Sequence, residues 1–256
     1  LQGNPLLVMD LLSSEMTKYA ANSMLAARIS LMNEFSRVCE KVGADIELVR
    51  RGIGADNRIG PQFLQAGIGY GGSCFPKDVR ALIRTGDELG ENLEILKAVE
   101  ATNIRQKLNF FKKIEKHFEG KMIGRNIALW GVAFKPGTDD IREAPAITLI
   151  ENILNAGGAV TLFDPVAANV ARNYFAAHPT LNGKLKHLNI IDDQYEALKN
   201  ADALAIVTEW KAFREPVFDR IKENLKKPVI FDGRNIYLPK KMRERGFEYY
   251  SVGRPL

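Results

Sequence analysis

A chain of 256 residues, 46% hydrophobic and 26% charged, can bury one large core or two modest ones and sits in the ordinary range for a globular protein. Its aliphatic runs are short and broken by charge, so none approaches the roughly 20 apolar residues of a membrane helix, and no secretory signal opens the chain. The net charge of +5 is dispersed among acids, as in Asp219 to Lys227 and Lys240 to Arg245, which argues against the one-sided cationic face of a nucleic-acid protein.

In chain order, Leu12, Met16, Tyr19, Leu25, Ile29, Met32, Phe35 and Cys39 recur at three- and four-residue steps, apart from one longer gap. They predict one long amphipathic helix from Leu11 to Val42, closed by Gly43. Asp45 is a predicted N-cap for a short helix ending at Gly52. A glycine-dense loop from Gly67 to Gly72 follows, and Pro76 opens a helix running to about Leu89. Residues 93–118 read as a second long helix. After Gly120 the pattern changes: strands are expected at 126–130, 159–163, 203–207 and 228–231, with a helix at 144–154 and further helical stretches between them. Strands alternating with helices predict a parallel sheet covered on both faces. The expected fold class is therefore an all-α domain over residues 1–119, ending in the linking helix, followed by an α/β Rossmann-like domain over residues 120–256 with a mostly parallel sheet. The chain starts at Leu1 rather than Met and enters a helix almost at once, so a preceding segment is expected.

The two cysteines have unlike surroundings. Cys39 lies on the apolar stripe of the long helix and reads as a small core residue. Cys74 stands just ahead of Pro76, at a helix start, where the positive end of the dipole favours the nucleophilic thiolate. No disulfide framework is expected, and a reducing, cytoplasmic setting fits. Gly67, Gly69 and Gly72 formally satisfy G-x-G-x-x-G, but no strand precedes them. The glycines are read as letting the loop backbone approach a ligand. Plain packing is the competing reading of the Cys74 thiol.

The segment Gly71-Gly-Ser-Cys-Phe-Pro-Lys-Asp78, with Val79-Arg-Ala-Leu82 after it, resembles the active-cysteine motif of the UDP-glucose and GDP-mannose dehydrogenases. Glu15-Met-Thr-Lys-Tyr-Ala-Ala-Asn22 is similar to that family's helix carrying a lysine and an asparagine, and Lys18 and Asn22, four apart, share a helix face. Ala133-Phe-Lys-Pro-Gly-Thr-Asp-Asp-Ile-Arg-Glu-Ala-Pro145 resembles its nucleotide-site loop, and Phe231-Asp-Gly-Arg234 its late arginine motif. The resemblance covers essentially the whole chain, with four motifs in order.

The resemblance implies removal of two hydrides from carbon 6 of a nucleotide sugar, with NAD as cofactor and no metal. It implies that Cys74 captures the intermediate aldehyde as a thiohemiacetal, which becomes a thioester and is released by water as the carboxylate. Lys18 and Asn22 would stabilise developing oxyanions, and Asp78 would orient or activate water. Substrate contacts are implied at Phe63, Leu64, Gln65, Ala66, Gly67, Gly71, Phe134, Lys135 and Arg234, in addition to Lys18 and Asn22. Arg58 is implied to reach the neighbouring subunit's site in a homodimer built on the long helix. Lys77 and Arg142 match positions that contact NAD. Phe75 and Tyr70 look more like the UDP-glucose branch, which forms UDP-glucuronate, than the GDP-mannose branch. The family's NAD-binding βαβ unit, expected ahead of Leu1, is not in these residues, so this piece alone is expected to be inactive. A stand-alone UDP-sugar-binding or dimerisation module is the reading from another class; such a binder needs no reactive cysteine.

Overall fold

The computed structural model describes residues 6–181 and 183–255; residues 1–5, 182 and 256 of the expected domains lie outside the described residues. Helix α1 (Leu11–Val42) begins where the Asp10 carboxylate accepts from the Ser13 amide at 2.9 Å, and ends at Gly43 with φ 75°. That cap needs a left-handed residue, which glycine supplies without steric cost. The inward face of α1 shares only Met32 and Cys39 with the expected stripe. It is Ser23, Ala26, Ser30, Met32, Asn33, Ser36 and Cys39, while Leu12, Met16, Met24, Leu31, Phe35, Val38 and Val42 are exposed. Small and polar residues line the inner side because the helix is approached closely there and supplies hydrogen bonds. Ser30, for instance, donates to the Val99 carbonyl at 3.1 Å.

Helix α2 (Ile46–Gly54) is capped by Asp45, which accepts from the Glu47 amide at 2.8 Å, and runs two residues past the expected end. Helices α3 (Phe75–Glu88) and α4 (Glu94–His117) both pack on α1. The chain then alternates: β1 (Asn126–Trp130), α5 (Pro145–Asn155), β2 (Ala159–Phe163), α6 (Ala168–Ala176), β3 (Leu188–Ile191), β4 (Ala203–Ile206), α7 (Lys211–Arg214), α8 (Phe218–Asn224), β5 (Val229–Asp232), α9 (Pro239–Glu244) and β6 (Glu248–Ser251).

The six strands form one sheet in the order β3-β2-β1-β4-β5-β6, every neighbouring pair parallel. The period of two along β1 sends Ile127 and Leu129 to one face, with Phe110, Phe111 and Ile114 of α4 and Ile150 of α5. Ala128 and Trp130 go to the other, with Phe213, Ile221 and Tyr237. Helix α4 thus packs on α1 along one side and contributes to the sheet's core along another. Strands β3 and β6 are the edges and were not expected from the sequence. Chain order reverses around β1, so the crevice past the carboxyl ends of β1 and β4 is where a ligand docks in sheets of this type.

Candidate active site

The loop leading to Cys74 is held from several sides. The Gly67 amide donates to Asn33 Oδ1 at 2.8 Å, and Gln106 Nε2 donates to the Gly67 carbonyl at 2.7 Å. Asn103 grips Tyr70 twice, accepting from its amide at 2.9 Å and donating to its carbonyl at 3.1 Å. From the sheet side, the Ile68 amide donates to the Gly233 carbonyl at 2.9 Å and the Gly72 amide to the Arg142 carbonyl at 2.8 Å. The glycines serve this seam. A Cβ on Gly71 would lie 2.8 Å from Ala144 Cα, and one on Gly72, which also has φ 85°, would lie 2.7 Å from the Phe134 ring. The close approach expected toward a ligand is, at these two positions, an approach to the β1–α5 loop.

Cys74 is the N-cap of α3, with Pro76 in the first turn, and its side chain is exposed. Its carbonyl accepts from the Asp78 amide at 2.8 Å, which puts Asp78 one helical turn on. Asp78 is fully buried beneath α1. Its Oδ2 accepts from Asn22 Nδ2 at 2.6 Å and lies 3.7 Å from Lys18 Nζ; its Oδ1 is 3.3 Å from Lys77 Nζ, an ion-pair distance outside hydrogen-bonding geometry. Burial pushes this carboxyl upward, but the Asn22 and Lys77 contacts and the Lys18 charge outweigh it and hold the pKa below the ordinary carboxylate value. Lys18 keeps 63% of its side chain exposed, so its amine borders solvent while resting against a buried anion. Cys39 is buried and unpaired, and burial raises its thiol.

The second half contributes from the carboxyl ends of the strands. Asp164, just past β2, accepts at Oδ2 from the Val132 and Ala133 amides at 2.7 and 3.1 Å, and Thr208 Oγ1 donates to the Ala133 carbonyl at 2.6 Å. These bonds shape the start of the β1–α5 loop. Phe134 follows, its amide donating to the Asp140 carbonyl at 3.0 Å, and the exposed Lys135 holds Nζ 5.3 Å from the Phe134 ring centroid. Arg234 crosses to meet them. Its amide donates to Asp232 Oδ1 at 2.9 Å and its Nε to the Val207 carbonyl at 2.6 Å. Its two terminal nitrogens reach the Gly69 and Phe134 carbonyls at 3.3 and 3.4 Å, and Nε lies 3.2 Å from Glu209 Oε2. Asp232, buried and bonded by Tyr249 and Tyr237, has its pKa raised by that burial. Gly69, Phe134 and Arg234 are therefore in contact, at the crevice the topology marks.

The remaining expected residues fall in three groups. Lys77 is in the first turn of α3, and the carbonyl of the exposed Arg142, on the β1–α5 loop, receives the Gly72 amide; Arg142 pairs with Asp140 at 2.8 Å, which raises its pKa. Phe63, at φ 58°, holds its ring 6.0 Å from Phe75; Gln65 is exposed, while the Leu64 and Ala66 side chains are buried and leave only their backbone to face a ligand. Arg58 is 89% exposed and pairs with Asp56 of its own turn at 2.6 Å, on a loop whose Ile59 and Gly60 carbonyls accept from Arg28 at 2.8 Å each. Sequence reasoning passed over Asn33, Asn103, Gln106, Lys107, Asp164 and Thr208. Asn103, Gln106 and Lys107 sit three and four apart, one polar patch on α4, a signal visible once that side of the helix is known to be covered.

A parallel sheet in this order, with a nucleotide-type crevice faced by a cysteine-bearing helical domain, defines the class as a two-part architecture, a helical domain followed by a Rossmann-like α/β domain. The family model described as "UDP-glucose/GDP-mannose dehydrogenase family, central domain" matches residues 12–105, and that described as the family's "UDP binding domain" matches residues 128–239. The chain belongs to the UDP-glucose/GDP-mannose dehydrogenase family. It is 51% identical over 250 residues to a UDP-glucose 6-dehydrogenase of Pseudomonas aeruginosa, covering 97% of this chain and 54% of that protein. The UDP-glucose 6-dehydrogenase YwqF of Bacillus subtilis is 42% identical, with 98% and 54% covered. The chain thus spans about half the length of the curated relatives it matches. Among solved structures, a UDP-glucose dehydrogenase from Pyrobaculum islandicum superposes with TM-score 0.84 at 33% identity, covering 98% of this chain and 53% of the other. A GDP-mannose dehydrogenase from Pseudomonas aeruginosa superposes with TM-score 0.57 at 25% identity, with 93% and 52% covered.

Proposed function

We propose that this chain is the cysteine-bearing and UDP-sugar-binding portion of an NAD-dependent UDP-glucose 6-dehydrogenase, converting UDP-glucose to UDP-glucuronate. Residues 1–119 form its helical domain and residues 120–256 its sugar-nucleotide domain. The observation that carries the reading is the exposed Cys74 at the start of α3, one turn from a buried Asp78 to which Lys18 and Asn22 of α1 both reach. A thiol in that setting suits covalent capture of a carbonyl carbon, and a packing role would not call for its exposure.

NAD⁺, when bound, would supply the hydride acceptor, a fresh molecule for each of the two oxidations. Cys74 Sγ bonds to the aldehyde carbon and so retains the half-oxidised sugar; after the second oxidation, water cleaves the thioester, returning the thiol and releasing the carboxylate. Lys18 is the charge partner of the oxygen on that carbon, and Asn22, with one amide hydrogen on Asp78, has the other free to donate to it. Asp78 holds both donors in place and orients water for the last step. The exposed cations Lys77, in the first turn of α3, and Arg142, on the loop bonded to Gly72, fit the anionic diphosphate of NAD. Lys135 answers the diphosphate or the sugar of the nucleotide, Arg234 reaches the ligand from the second domain, Phe134 lies against it, and Phe63 to Gly67 with Gly71 form the loop beside it. The apolar residues exposed along α1 support a homodimer through that helix, with Arg58 reaching the partner's site. The two free thiols suit a reducing cytoplasm.

A second reading keeps the chemistry and takes GDP-mannose; Phe75 and the closer superposition on a UDP-glucose dehydrogenase favour the first. Full-length protein supplied with each nucleotide sugar and NAD⁺ is expected to form two NADH per UDP-glucose, and an acid product. No turnover of UDP-glucose, or faster turnover of GDP-mannose, would overturn the assignment. The 256-residue piece alone is expected to yield no NADH.

A further inference from the structure

The loop that carries Arg234 is tied down by residues that follow β6. Asn235 holds φ 56°, a left-handed conformation that asparagine tolerates better than most residues. Its side-chain amide pairs with one backbone unit: Nδ2 donates to the Val252 carbonyl at 2.8 Å and Oδ1 accepts from the Val252 amide at 2.9 Å. Two residues on from Val252, Arg254 forks between two carbonyls of the same loop, Nη1 donating to Tyr237 at 2.7 Å and Nη2 to Asn235 at 3.2 Å. Asp232 takes the loop's amides, accepting from Arg234 at 2.9 Å and from Tyr237 at 3.1 Å. Residues 251–254 are themselves fixed to the helical half. The Ile46 amide donates to the Gly253 carbonyl and the Gly253 amide to Glu40 Oε1, each at 2.8 Å, and Lys113 of α4 donates to both Glu40 and the Ser251 carbonyl. Gly253, at φ 70°, lies so close to α1 that a Cβ there would meet Ser36 Cβ at 2.6 Å.

Arg254 is a costly residue in this place. A guanidinium keeps its charge, and this one leaves only 4% of its side chain exposed, with Nε 3.7 Å from Asp45 Oδ1 and without a hydrogen bond. Burying such a group opposes folding, and a methionine would fill much of the space without that cost. What the guanidinium adds is its pair of bonds to the Asn235 and Tyr237 carbonyls, immediately after Arg234. The chain between Asp232 and Tyr237 then has little freedom, and the Arg234 side chain leaves it toward the Val207, Gly69 and Phe134 carbonyls. We propose that Arg254 is a positioning residue: by holding the Asn235 and Tyr237 carbonyls it fixes the backbone from which Arg234 reaches the crevice, and through residues 251–254 it ties that arginine to the helical half that bears Cys74.

The inference rests on reading Arg234 as a residue that contacts the sugar nucleotide. The test is calorimetric titration of the full-length protein with UDP-glucose in the absence of NAD⁺, so that binding is read without turnover. Arg234→Gln is expected to weaken binding roughly tenfold or more, as loss of a charged hydrogen bond does. Arg254→Met is expected to weaken it roughly three- to tenfold, and to weaken it no further in a protein already carrying Arg234→Gln. A variant that merely loosens the fold would lose affinity equally with or without Arg234, which separates the two roles. Asn235→Gly permits the left-handed conformation and removes only the bonds to Val252; it is expected to behave as Arg254→Met does, and takes its place if that variant does not fold. Wild-type affinity in the folded variant, or an equal loss in the Arg234→Gln background, overturns the proposal and leaves the reading of Arg234 standing. Wild-type affinity in Arg234→Gln itself overturns that reading, and the proposal with it.

Discussion

Asp78 shows how one residue would couple the sequence motif to the proposed chemistry. The carboxylate is out of water, so its charge must be met locally, and Asn22, Lys18 and Lys77 meet it. Removing that charge leaves Asn22 and Lys18 without the partner that orients them. Asp78→Asn in the full-length enzyme is therefore expected to lower kcat on the order of 10²-fold while KM for UDP-glucose changes little. A kcat within a factor of two of wild type would show that Asp78 only packs. Cys39→Ala, which removes a small core thiol, should leave kcat unchanged. The Cys74 motif was legible because its meaning is local: a cysteine before a proline at a helix start. The partners of Asp78 were half legible, since the four-residue spacing of Lys18 and Asn22 places them on one face but cannot say what that face meets.

Among the elements, the interior strands declared themselves. Asn126-Ile-Ala-Leu-Trp130 is buried on both faces and reads as a continuous apolar run. The edge strands did not, because Glu248-Tyr-Tyr-Ser251 and Leu188-Asn-Ile-Ile191 are four residues long and half-covered, with mixed composition. Helix α1 was read with the right bounds and an inner face that holds only in part: Met32 and Cys39 of the expected stripe are covered, but Leu12, Met16 and Phe35 are exposed, because periodicity finds apolar stripes and cannot tell which is covered. The anchors Asn33 and Asn103 escaped for a related reason, since their value lies in partners 33 and 34 positions away. Asn33→Ala would leave the buried Gly67 amide without its acceptor and is expected to destabilise the protein by about 1–3 kcal/mol in urea unfolding; a change below 0.5 kcal/mol, within the scatter of inert surface substitutions, would contradict that.

Asp202, one residue before β4, ties the near ends of β1 and β4. It accepts from Arg125 at 3.0 Å, from the Asn126 amide at 2.9 Å and from Lys226 at 2.9 Å. Burial raises its pKa, but these three donors more than offset that, and the carboxyl is held below its ordinary value. The unfolded chain therefore binds the proton first on acidification. The stabilisation is fully present above the ordinary carboxylate pKa of about 4 and is lost as pH falls through the lowered value. Urea midpoints measured between pH 6 and pH 3 should fall more steeply for wild type than for Asp202→Asn; parallel curves would remove Asp202 from the acid response.

At the scale of the molecule, two halves meet along α4 and around the glycine loop, and the proposed chemistry belongs to the junction. The same scale explains the apolar side of α1, which a single chain leaves to solvent at Met24, Leu31 and Val38. Leu31→Glu is expected to shift the full-length protein from dimer toward monomer in sedimentation, and to lower activity through loss of the partner's Arg58. A dimer of unchanged stability would place the interface elsewhere. The measurement that bears most directly on the whole reading is acid formation by full-length Cys74→Ser. With UDP-glucose and NAD⁺, the variant should form no UDP-glucuronate beyond a trace, while its fold and its binding of UDP-glucose persist. Acid production at the wild-type rate would contradict covalent capture at Cys74, and with it the function assigned to this site.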